Sequence, residues 1–112
     1  TFHDLADVEK QAVMSWITGH LARDGMFVLM DRIRLTEPVL FGSQIALWNR
    51  LERVHGFTMR AADSFEAYEA DMASNNRPAR LVDYQTWFHE AGMVSQLLHL
   101  HGNIMVMAAA RL

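Results

Sequence analysis

The chain opens with apolar positions at Leu5, Val8, Ala12, Trp16, Ile17, His20 and Leu21 (counting His20 with them), recurring every three or four residues. That spacing predicts a first helix over Phe2 to Arg23, with these residues on one face. Asp4 and Asp7 near its start and Arg23 near its end suit the helix dipole. Asp24-Gly25 is a stop and turn signal. The short run Met26-Phe27-Val28-Leu29-Met30 reads as a short helix through about Arg34, with a strand as the alternative.

Thr36-Glu37-Pro38 marks a helix start, because Thr36 can cap and Pro38 suits the first turn. A long seam follows through Leu40, Gln44, Leu47, Leu51, Val54, Thr58, Ala61, Phe65, Tyr68 and Met72, alternating spacings of three and four. Gly56 weakens that helix by up to about 1 kcal/mol without requiring a break. Ser74-Asn75-Asn76-Arg77-Pro78 then supplies a short connection, which makes the flanking helices antiparallel neighbours. The seam resumes at Leu81, Tyr84, Phe88, Ala91, Ser95, Leu98, Gly102, Met105, Ala109 and Leu112, and reaches Leu112 without a stop signal.

The expected architecture is all-α and resembles a coiled coil. It is a single helical domain over residues 1–112, with an N-terminal helical segment at 1–35 and long helices at 36–73 and 79–112. The two long helices form an antiparallel hairpin. Its apolar stripe is wider than a hairpin can hide, so the protein is expected to self-associate or to coat another surface.

Composition narrows the chemistry. Hydrophobic residues make up 51% of the 112, too many for a disordered chain. A net charge of −3 argues against nucleic acid as the partner. The absence of cysteine removes disulfides, thiolate metal sites and a cysteine nucleophile. On a helix, His99 and His101 would lie about 200° apart and could not converge on a metal. The serines lack an elbow-like glycine context, and the six glycines never cluster as a phosphate cradle. No catalytic residue, metal ligand or cofactor site is therefore expected, and the chain reads as a non-enzyme. Ala91 to Ala110 is uncharged and long enough to span a bilayer. Its two histidines and two amides argue against a transmembrane helix and for one packed against protein or lying on an apolar surface. The expected location is cytoplasmic.

The eight methionines and three tryptophans suggest a soft apolar contact face. The expected face comprises Leu47, Trp48, Leu51, Phe65, Trp87, Phe88, Leu98 and Met105. Trp16, Trp48 and Trp87, one on each helix-like segment, read more readily as core anchors than as a binding box.

The stretch from Tyr68 to Phe88 resembles the helix junction of phasins, the helical proteins that coat polyhydroxyalkanoate granules in bacteria. Pro78, Gln85, Trp87 and Phe88 reproduce the order proline, glutamine seven residues later, then aromatics. Trp48, Phe57, Met59, Arg60 and Asp63 are similar to the family's preceding helix, so the likeness spans about residues 40–112. It implies a non-enzymatic, self-associating, granule-associated coat with its apolar face on polyester. The alternative is a structural helical oligomer, or an accessory subunit of a larger complex, with the same stripe buried against protein partner helices.

Overall fold

The first helix ends at His20, with Leu21 already extended, ahead of a turn at Asp24-Gly25, and the run after that turn is extended. The computed structural model, which describes residues 2–72 and 76–112, places a 3₁₀ turn at Phe2–Asp4, helix α1 at Asp7–His20 and strand β1 at Met26–Arg32. A 3₁₀ turn at Pro38–Leu40 leads into α2 (Phe41–His55), followed by α3 (Phe65–Met72) and α4 (Leu81–Glu90). Strands β2 (Met93–His101) and β3 (Ile104–Arg111) complete the chain. The all-α, coiled-coil expectation is therefore corrected. Among the described residues the fold mixes four α-helices with a three-stranded antiparallel sheet of order β1-β3-β2.

Three glycines account for most of the correction. Gly56 has φ +76° and caps α2, its N–H donating to Glu52 C=O at 2.8 Å. In that left-handed conformation the helix cannot continue, so the expected helix over 36–73 divides into α2 and α3. Gly92 (φ +87°) turns the chain out of α4, and Gly102 (φ +63°) forms a two-residue hairpin loop with Asn103. The expected helix over 79–112 is thus α4 followed by a β-hairpin. Part of the Ser74–Pro78 connection lies outside the described residues. Ala91 to Ala110 is mostly hairpin, and no helix among the described residues is long and apolar enough to cross a membrane.

Alternation sorts the sheet's side chains. Leu29 pairs with Met107, and Met93 with Arg111, with a bulge between Leu97 and His99. Leu29, Met93, Met105, Met107 and Ala109 pack with Met14 of α1 and with Tyr84 and Phe88 of α4 in the main core. The residues of α1 that turn fully inward are Lys10 and Met14, so its inward face differs from the expected one, and Val8 and Trp16 are exposed.

A second core gathers Phe41 and Trp48 of α2 with Tyr68 and Met72 of α3. Phe41 lies 5.7 Å from the rings of Trp48, Phe65 and Tyr68. The two cores are joined after β1, where Arg34 N–H donates to Ala79 C=O at 2.8 Å and Leu35 N–H to the Tyr68 hydroxyl at 2.9 Å.

Candidate interaction surface

The central strand β3 is apolar on both faces, and helices of the main core cover only one of them. Residues alternate across a strand, so Val28 and Met30, Val106 and Ala108, and Val94 and Gln96 point away from Leu29 and Met107. None of these six joins either core. Met30 is 71% exposed, Val94 49% and Val28 48%. Three cross-strand rows build this open face: Met26–Ala110–Val94, Val28–Ala108–Gln96 and Met30–Val106–His99. An antiparallel sheet that faces water on one side ordinarily carries polar residues there. Here the outward row of β3 reads Ile104, Val106, Ala108 and Ala110.

The eight residues expected to form one contact face do not lie together. Trp48, Phe88 and Met105 are fully buried, the first in the α2–α3 core and the others in the main core. Leu51, Phe65 and Trp87 are half-buried, whereas Leu47 and Leu98 are exposed. Met26, Val28, Met30, Val94 and Val106 are the missed residues. Their only signal in the sequence is a pair of continuous apolar runs, the pattern of a strand buried on both faces.

A polar cluster sits at the carboxyl end of β1. His3 Nδ1 lies 2.6 Å from Asp31 Oδ1, and His3 Nε2 lies 3.4 Å from Asp4 Oδ1. Asp31 Oδ1 also accepts the Arg32 N–H at 2.8 Å, while its buried Oδ2 has no hydrogen-bond partner. A shallow cavity of about 200 Å³ opens beside the pair, lined by Phe2, His3, Met30, Asp31, Arg32 and Ile104. Nearby, the buried Lys10 ammonium donates to Arg77 C=O and lies 3.6 Å from Asp7. Burial pulls its pKa below the ordinary lysine value, with the Asp7 charge opposing. Burial, together with the Asp31 charge, raises the Tyr84 phenol. His3 and Asp31 are 28 positions apart, a pairing no short-range motif reveals.

Three histidines meet at the hairpin tip. On strand β2, residues two apart share a face, and the rings of His99 and His101 stack 5.9 Å apart. His55 of α2 lies 4.9 Å from His101. The expectation that His99 and His101 diverge is thus corrected. Among the described residues, however, no group of three or more histidines and carboxylates is placed to hold a metal ion. No protein-family model matches the chain, and no curated protein matches it significantly.

Proposed function

We propose that this chain is an accessory part of a larger protein assembly, docking through the open face of its sheet. The apolar outer face of Val28, Met30, Val94 and Val106, left uncovered by the helices of the main core, carries this reading. An exposed apolar patch of this kind marks a contact surface.

Polyester coating, implied by the phasin resemblance, draws on long amphipathic helices, whereas α2 has 15 residues and α4 has 10. The open face is a sheet, and ester groups offer hydrogen-bond acceptors but no donors. A protein surface suits it better, and granule association becomes an outcome to be tested.

The test is the double substitution Met30→Lys with Val94→Lys, at two exposed positions. Sedimentation of the protein prepared from its own cells should show the native chain in a larger species and the variant as a 12.8 kDa monomer with unchanged circular dichroism. An assembly indifferent to both lysines, or a native chain that sediments only with hydrophobic particles, overturns the reading.

The unpartnered Asp31 Oδ2 beside His3 favours a second reading, an acid–base pair completed by whatever covers β1. Its test is the His3 tautomer, read by ¹⁵N NMR. A proton fixed on Nδ1, released by Asp31→Asn, supports it if His3→Gln also abolishes turnover in the assembled complex. A His3 ring whose proton is shared between Nδ1 and Nε2, or sits on Nε2, contradicts it.

A further inference from the structure

The open face adjoins a row of unused backbone groups. Ile33 N–H donates to Asn103 C=O at 2.8 Å, which sets the phase of the β1–β3 ladder. Backbone groups alternate toward and away from the neighbouring strand. Phe27, Leu29 and Asp31 therefore face β3, while Met26, Val28, Met30 and Arg32 face away. Arg32 is already satisfied, its N–H by Asp31 and its C=O by the Tyr84 hydroxyl at 3.3 Å. Met26, Val28 and Met30 have no such partner among the hydrogen bonds of the described residues. Their N–H and C=O groups repeat about every 7 Å, the spacing a paired strand requires.

The two edges of the sheet differ. The β2 edge is interrupted by the bulge between Leu97 and His99, a usual protection against strand addition. The β1 edge has no bulge, proline or lysine, and its charged residues lie at its end. The side chains of Met26, Val28 and Met30 also form one wall of the open face. Ala108 and Ala110 on the central strand are small, so they floor a trough between that wall and Val94 and Gln96.

We propose that the occupant is a strand-and-helix segment of another polypeptide. Its strand pairs with Met26–Met30 on the free edge of β1, and its helix lies in the trough over Ala108 and Ala110. This rests on the docking role proposed above and names the partner's chemistry. Acyl chains or polyester fill the trough but have no N–H or O–H groups to donate to the β1 carbonyls. A second copy paired edge to edge satisfies those groups and leaves both troughs bare, because Met14 of α1 and Phe88 of α4 are committed to the core. A strand with its own helix meets both demands and gives the sheet the two-sided cover that β3 is patterned for.

The test places the photocrosslinker p-benzoylphenylalanine at Met30 or Gln96 in the full chain, produced in its own cells, with exposed Glu66 of α3 as control. Met30 and Gln96 should crosslink one and the same polypeptide, distinct from this chain. In the purified complex, amide exchange at Met26, Val28 and Met30 should slow by at least about 100-fold relative to the isolated chain. Adducts between copies, adducts no stronger than at Glu66, or a crosslinked partner that leaves those three amides fast each overturn the proposal. Copy-to-copy adducts, with an assembly still broken by Met30→Lys and Val94→Lys, overturn this inference alone and leave the docking role standing.

Discussion

Gly102, at the tip of the β2–β3 hairpin, lies directly against the indole of Trp48 on α2. A Cβ at Gly102 would sit 3.3 Å from both Trp48 Cδ1 and Nε1, and its φ of +63° is left-handed. The two constraints act together, so Gly102→Ala is expected to cost about 1–3 kcal/mol. Gly42→Ala, in α2 with open space around it, should instead stabilise by up to about 1 kcal/mol. Urea unfolding of both variants checks the pair. Equal effects would mean that the hairpin does not dock on Trp48.

Met105 and Leu98 separate core from surface among residues that the sequence groups together. Met105→Ala, fully buried, should cost about 2–5 kcal/mol. Leu98→Ala, exposed on the bulged strand, should stay within about 0.5 kcal/mol. Thermal unfolding distinguishes them. Similar losses would favour the helical stripe, in which both share a seam.

Lys10 links stability to pH. Its pKa in the folded chain lies below the ordinary lysine value, because burial disfavours the charge. Between the folded and unfolded values the unfolded chain holds the extra proton, so stability rises with pH across that window. Lys10→Met should remove the rise in stability that ends near the ordinary lysine value of about 10.4, measured as denaturation midpoints. A rise that survives the substitution would show that Lys10 is solvated.

Glu52 accepts the N–H groups of Met59 and Arg60, both at 3.0 Å, and so fastens the segment after Gly56. These two bonds hold its pKa below the usual carboxylate value. The contribution is therefore complete above the ordinary carboxylate range and lost as pH falls through the lowered folded value. Amide exchange at Met59 and Arg60 should accelerate in Glu52→Ala at neutral pH, and in the native chain only on acidification. Unchanged exchange in the variant would place the restraint elsewhere.

What could be read from the residues divides along the chain. The helix ahead of Asp24-Gly25 and the start near Pro38 are legible, because glycine and proline punctuation acts locally. The expected Thr36 cap is not formed, since Glu37 precedes the 3₁₀ turn and Leu40 precedes α2, neither with a side-chain cap bond. Residues 26–32 and 93–111 are not legible. On the central strand both faces are apolar, so Ile104 to Ala110 forms an unbroken run with no period of two, and Leu98, Met105 and Ala109 fit helical spacing by coincidence. Gly102-Asn103 was the overlooked signal. Glycine followed by asparagine between two apolar runs is a hairpin signature, and His101 does pair with Ile104 across it. The open surface could not be foreseen, because it depends on which of two apolar faces the helices cover.

Methionine methyl groups give the most direct test of the docking role. Met26 and Met30 are 64% and 71% exposed on the open face, while Met14, Met93, Met105 and Met107 are fully buried. With ¹³C-methyl labels and a soluble paramagnetic agent, Met26 and Met30 should be strongly relaxed in the isolated chain and shielded in the native assembly. The four core methyl groups should stay shielded in both. Met26 and Met30 signals that remain accessible in the native assembly would contradict docking through this face.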